Sequence, residues 1–171
     1  MAESGRVQFV QKLARKVLSD CGISDPPVDL LRILKSHGIE YVEVDDFPDT
    51  VSALIVESET RTYAAINSKE HLHRQRFSLA HELGHFFLHR GGRADEIPTI
   101  DNPPSEDWQE GGKAPAEAEA DLFAGELLVP KDMLKRHYRK GMLVPELSKI
   151  FLVSDHVVSI SISKHFNSLF K

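Results

Sequence analysis

Apolar residues recur every three or four positions in the first part of the chain, the spacing of one face of a helix. Residues 7–18 follow this spacing until Gly22, and a second, shorter run ends before Gly38. Three segments rich in β-branched and aromatic residues, IEYVEV, SALIVES and TYAAIN, follow within residues 39–67. The pattern predicts two N-terminal helices in residues 1–38 and three short strands, with connections short enough for an antiparallel meander.

A helix that is apolar on nearly all sides is predicted over residues 74–90, which is typical of a central, buried helix. Residues 91–115 show no periodicity and are rich in glycine, proline and acidic residues, so they predict a long loop. Helical spacing resumes in residues 116–129 and in residues 131–171, where LVS divides the last two helices. We expect one α+β domain over residues 1–171, with a short antiparallel three-stranded sheet packed on the central helix.

Composition and charge narrow the class of protein. With 41% hydrophobic and 27% charged residues among 171, the chain resembles ordinary globular domains rather than disordered or membrane-embedded ones. The net charge of −5 disfavours a general nucleic-acid binder, which needs a basic face for phosphates. Cys21 is the single cysteine, so neither an intramolecular disulfide nor a thiolate-rich metal site is possible. The N-terminus lacks the apolar core of a signal peptide, and we expect a cytoplasmic protein without membrane contact.

The segment LAHELGH, residues 79–85, places His81 and His85 one helical turn apart. Imidazoles four residues apart project from one helix face, so both can bind one zinc ion at about 2.0–2.1 Å. Glu82 points about 100° around the helix, where it can act as general base on a water that zinc activates. The alternative is a pair of buried histidines bonded to backbone carbonyls. Gly84 weighs against it, because an interior glycine costs about 1 kcal/mol and needs a reason such as close approach of another backbone.

A catalytic zinc ion needs a third protein ligand and one open coordination position. In the helix over residues 116–129, Glu117 and Asp121 share the apolar stripe, whereas Glu119 and Glu126 are predicted to face solvent. A carboxylate on an apolar face is costly unless it is paired or bound to metal. We therefore predict Glu117 as the third ligand and Asp121 as acceptor of a ligand histidine's outer N–H. The alternative has Glu117 capping the helix and Asp121 pairing with a lysine or arginine.

His137 and Tyr138, later in the chain, are candidates for stabilising the negative charge that develops during a reaction. His137 or Tyr138 could donate a hydrogen bond to the oxyanion of a tetrahedral intermediate. His89 follows His85 by one turn, but a fourth protein ligand would close the site, so it is left out of the ligand set.

The segments RQRFSLAHELGHFFLH and EAEADLFAGELLVP together resemble the ImmA/IrrE family of metallo-endopeptidases, which are HExxH zinc peptidases. The resemblance extends upstream through PPVDLLRILKSHGIEYVEV and downstream to LSKIFLVSDHVV, so it covers most of the chain. It implies a small zincin-like domain with one zinc ion held by His81, His85 and Glu117, and Glu82 as catalytic base. Asp121 stands where this family often has asparagine, which does not affect the ligands.

The resemblance also implies a substrate that the residues alone do not identify. This is a helix-turn-helix transcriptional repressor, whose cleavage would relieve repression in a phage, mobile-element or stress-response setting. One alternative is a non-catalytic zinc-containing regulatory protein that binds a partner repressor, which the intact Glu82 disfavours because a structural site needs no base. Another is a DNA-binding regulator that uses ELSKIFLVSDHVVSISISKHF as a helix-turn-helix, whose second helix offers only Lys164 for phosphate contacts. We expect a protein partner and no direct nucleic-acid contact.

Overall fold

The computed structural model describes residues 2–48, 50–89, 115–139 and 141–169, and arranges them as helices around a small sheet. In chain order the helices are α1 (Ala2–Asp20), α2 (Leu30–Ser36), α3 (Leu72–Leu88), α4 (Pro115–Leu128), α5 (Lys131–His137), α6 (Val144–Phe151) and α7 (Asp155–Leu169). The strands are β1 (Ile39–Val44), β2 (Ala53–Glu57) and β3 (Thr62–Asn67). The predicted α+β class is confirmed, and the helix over residues 74–90 begins and ends two residues earlier than its pattern indicated.

The sheet is mixed, so the predicted antiparallel meander is wrong. Its strand order is β1-β3-β2. β1 runs parallel to β3 from the pair Ile39 and Thr62, whereas β2 runs antiparallel to it from the pair Ala53 and Ile66. The central strand is β3, which buries Ala64 and Ile66, whereas most of β1 is exposed and β2 is half-buried. β3 is the strand with both of its edges paired, and it is also the most buried of the three.

The centre of the molecule is the contact between α3 and α4, with α1 against another side of α4. An ideal Cβ at Gly84 of α3 would lie 2.9 Å from the Cα of Ala120 in α4, so the predicted backbone approach is confirmed. The core residues shared by these two helices are Leu79, Ala80, Leu83, Phe86, Phe123, Ala124, Leu127 and Leu128. Burial of each large side chain contributes about 1.5–3 kcal/mol. This burial holds α3 and α4 against each other, so side chains from the two helices can contact one another.

The C-terminal segment forms two helices joined at LVS, as predicted. Leu152 adopts a left-handed conformation, φ 54°, and ends α6. The Ser154 hydroxyl accepts a hydrogen bond from the Val157 amide at 3.4 Å, which caps the start of α7. Arg76 of α3 donates to the carbonyls of Leu152 and Val28, at 3.0 and 2.8 Å. This half-buried guanidinium therefore ties the turn between the last two helices to the central helix.

The loop predicted over residues 91–115 lies outside the described residues, except that Pro115 begins α4. The expectation of one domain over residues 1–171 stays a prediction. No helix in the described ranges combines the length and apolar character needed to cross a bilayer.

Candidate metal centre

Helix α3 presents two half-buried histidines to α4. Their side chains are 17% and 27% exposed for His81 and His85, and the ring centroids are 4.7 Å apart. The two Nε2 atoms approach to 3.0 Å. Both rings contact carboxylates and each other, an arrangement that differs from the alternative of histidines bonded to backbone carbonyls.

Helix α4 places Glu117 opposite this pair. Its Oε2 is 3.2 Å from Nε2 of His81, and its Oε1 is 3.1 Å from Nε2 of His85. Tetrahedral zinc with bonds of about 2.0–2.1 Å separates its ligand atoms by about 3.3 Å. The donor set of two imidazoles and one carboxylate fits such an ion in kind and in spacing. We call these three residues the ligand triangle.

Glu117 is less buried than its place on the apolar stripe predicted. Its side chain is 49% exposed. It belongs to the first turn of α4, where the stripe reaches the end of the core. Glu117 therefore reaches the histidines from the edge of the site. Its position depends on the contacts that hold the first turn of α4.

Asp121, one turn after Glu117, holds the outer nitrogen of His81. Its Oδ1 lies 2.9 Å from Nδ1 of His81. Burial acts to lower the pKa of His81, but the hydrogen bond to Asp121 and the charge of Glu117 outweigh it and raise that pKa. Burial lowers the pKa of His85, which favours the neutral imidazole that binds metal. Asp121 thus fixes which nitrogen of His81 faces the ligand triangle.

Glu82 lies beside the ligand triangle on the side of α3 that faces β2. Burial raises its pKa to about 7, although the charge of His81 and a hydrogen bond from the Ile55 backbone act to lower it. A carboxyl group with a pKa near neutrality can both accept and release a proton. The Ile55 contact could not be predicted from the sequence, because a backbone N–H donor is present at every residue except proline.

Two acidic residues of α4 predicted to face solvent are covered by other helices. Glu119 accepts hydrogen bonds from Nε and Nη2 of Arg6, each at 2.6 Å, and this pairing lowers the pKa of its carboxyl. Glu126 is only 4% exposed, with Oε1 2.5 Å from Arg15 and Oε2 3.3 Å from His165. The prediction was wrong because α1 and α7 supply polar partners to the side of α4 that the helical wheel left open.

The two candidate oxyanion donors, His137 and Tyr138, contact residues other than those of the ligand triangle. His137 lies 3.7 Å from a carboxylate oxygen of Asp25 and packs edge-on against Phe151. Tyr138 is half-buried against the hydrophobic core. A role for either residue in stabilising an oxyanion stays a prediction.

Comparison with known proteins identifies the family. The family model of Peptidase_M78, described as the IrrE N-terminal-like domain, matches residues 35–163. Metallopeptidase ImmA of Bacillus subtilis (strain 168) is 27% identical over 145 residues, which cover 77% of this chain and 80% of that protein. A solved structure described as a Mycobacterium tuberculosis transcriptional regulator has a similar fold, with a TM-score of 0.64 at 20% identity.

That similarity covers 88% of this chain but 45% of the regulator, so this chain spans less than half of the regulator's length. The ImmA/IrrE resemblance is confirmed by the family model, which matches well over half of the sequence and includes both helices of the ligand triangle. The chain therefore belongs to the IrrE N-terminal-like family of metallopeptidases, Peptidase_M78.

Proposed function

We propose that this chain is a zinc-dependent endopeptidase that cleaves a helix-turn-helix transcriptional repressor and so relieves repression. The observation that carries the proposal is the ligand triangle of His81, His85 and Glu117 with the half-buried Glu82 beside it. Three protein ligands leave a fourth coordination position for water and substrate, as catalytic zinc sites do. Membership of a metallopeptidase family supports the same reaction class.

A bound zinc ion would lower the pKa of a water to about 7 and polarise the scissile carbonyl. Glu82 accepts the proton of the attacking water and delivers it to the leaving amine, since burial brings its pKa close to neutrality. Asp121 keeps the ring of His81 in one orientation throughout, through the bond at Nδ1.

The outer edge of β2 supports an extended peptide as the substrate. In an antiparallel pair, only alternate residues bond to the partner strand. Ser52 bonds to Asn67 in this way, so Ala53 and Ile55 turn their backbone groups away from β3. Because Glu82 contacts the Ile55 backbone, this edge passes beside the proposed base. A peptide segment that adds to this edge brings its own backbone to the reacting groups.

The choice of a repressor rests on the family resemblance and on the structural relative, which is described as a transcriptional regulator. Such a substrate places the reaction in the cytoplasm. The proposal requires protein recognition only, in agreement with the acidic net charge of −5.

The test is Glu82→Gln, which keeps the side-chain shape and leaves the ligand triangle intact but cannot take up a proton. We expect this variant to fold, to bind about one zinc ion as catalytic sites of this kind do, and to leave the repressor uncut. The measurements are zinc content by mass spectrometry and cleavage, on a gel, of a helix-turn-helix repressor encoded next to this gene, which is where the family resemblance implies that the substrate is encoded. His85→Ala is the matched control, which should hold no zinc and cut nothing.

A Glu82→Gln variant that relieves repression in cells as well as the wild type does would overturn the proposal that catalysis is the mechanism. The chain would then act as a non-catalytic zinc-containing regulator that binds its partner repressor. Full zinc retention by His85→Ala would instead remove the metal site itself.

A further inference from the structure

Arg6, near the start of α1, is bonded to α4 through both ends of its guanidinium. Its Nε and Nη2 donate to the two carboxylate oxygens of Glu119, each at 2.6 Å. The guanidinium carbon lies 5.3 Å from the ring centroid of Phe9, one turn further along α1. Most exposed ion pairs contribute little to stability. A bidentate pair whose cation also stacks on an aromatic ring is held in one geometry.

Glu119 lies two residues after Glu117, so this pair holds α4 directly next to its first turn, which carries Glu117. The first turn of a helix lacks the full set of backbone hydrogen bonds and is where helices fray. Ala120 anchors this turn on the α3 side, against Gly84. Glu119 anchors it on the α1 side through Arg6. Glu117 precedes both anchors and is half-exposed, so its position over the histidines follows from them.

Glu119 also reaches towards the end of α3. Its Oε2 lies 3.7 Å from Nε2 of His89, whose ring centroid is 5.6 Å from that of His85. The Nε2 atom of His89 is buried and has no hydrogen bond within the described part of the chain. The carboxylate that Arg6 holds is thus located between α1, α4 and the last turn of the helix that carries both histidine ligands.

We propose that Arg6 is a positioning residue for the metal centre. Its bidentate bond to Glu119 holds the first turn of α4 so that Glu117 stays within reach of His81 and His85. The inference rests on the proposed role of Glu117 as a metal ligand. Arg6 precedes residue 35, where the family match begins, so the match assigns no role to it.

The experiment measures the Kd for zinc by competition with a chelator, alongside thermal unfolding of the metal-free protein. We expect Arg6→Ala and Glu119→Ala each to weaken zinc binding about tenfold, the lower end of what residues supporting a ligand contribute. Arg6→Lys should recover part of the loss, since lysine keeps the charge but not the two-point bond. Lys16→Ala is the matched control on α1, because the salt bridge of Lys16 to Asp20, at 2.7 Å, lies within its own helix.

An Arg6→Ala variant that unfolds at a lower temperature but keeps the wild-type Kd for zinc would overturn the inference, because Arg6 would then be merely structural. If Glu117→Ala lost zinc in the same series, the proposed function would still stand. Wild-type protein that binds no zinc, or Glu117→Ala that binds it as tightly as wild type, would overturn the metal site and this inference together.

Discussion

At the scale of single residues, the two nitrogens of His81 have different tasks. Nδ1 lies 2.9 Å from Asp121, and Nε2 lies 3.2 Å from Glu117. A hydrogen bond donated from Nδ1 selects the tautomer in which the lone pair of Nε2 is available to a cation. Asp121 therefore acts on the proposed metal centre through the orientation of one ring.

Replacement of Asp121 tests that task. We expect Asp121→Ala to cost about 10–100-fold in zinc affinity or activity, because the ring of His81 loses its partner. Asp121→Asn should be milder, since the amide oxygen still accepts the N–H. Chelator competition gives the zinc Kd of each variant. Wild-type affinity in Asp121→Ala would show that packing alone orients the ring.

At the scale of elements, the close approach of α3 and α4 sets the span of the ligand triangle. A Cβ at Gly84 would meet the Cα of Ala120 at 2.9 Å and its carbonyl oxygen at 3.1 Å. Both are backbone atoms, which cannot rotate away as a flexible side chain can. Any side chain at this position must push α4, and Glu117 with it, away from the histidines.

A methyl group at this contact gives a direct test. Alanine has the better helix propensity, but we expect Gly84→Ala to destabilise the fold by about 1–3 kcal/mol through overpacking and to weaken zinc binding. Gly125→Ala in α4 is the matched control, because among the described residues no atom beyond its own stretch of helix lies within 4 Å of its added Cβ. This variant should stabilise the fold by up to about 1 kcal/mol. Urea denaturation and zinc competition give both quantities. Unchanged stability in Gly84→Ala would mean that the helices separate at little cost.

Local patterns determine how much of this structure the sequence could predict. Helix geometry alone predicts that His81 and His85 share one face of α3 and that Glu82 lies beside them. Gly84 indicated the close backbone approach that the structure contains. The parallel pairing of β1 with β3 could not be predicted, because it joins strands between which β2 intervenes along the chain. The helical wheel of α4 correctly placed Glu117 and Asp121 on one side and Glu119 and Glu126 on the other. It carried no information on which other helices cover each side, so the predicted exposure of Glu119 and Glu126 was wrong.

At the scale of the whole molecule, Glu126 joins α4 to the first and last described helices. Its buried carboxylate lies 2.5 Å from Arg15 in α1 and 3.3 Å from His165 in α7. A buried carboxylate is costly unless it is paired and hydrogen-bonded. The first and last described helices are therefore held to α4, the helix that carries Glu117, at a point about two and a half turns after Glu117.

Removal of one partner from this buried group should be costly, and removal of both less so. We expect Arg15→Ala to lower the free energy of unfolding by about 3 kcal/mol, because Glu126 loses its closest cation. Arg15→Ala combined with Glu126→Leu should recover much of that loss, since no carboxylate then remains buried. Lys16→Ala is the exposed control and should change stability by about 0.3–0.5 kcal/mol.

Urea denaturation measures the stability of all three variants. The zinc Kd of Arg15→Ala should stay at the wild-type value, unlike that of Arg6→Ala. Equal stability of Arg15→Ala and Lys16→Ala would show that His165 alone compensates the buried charge.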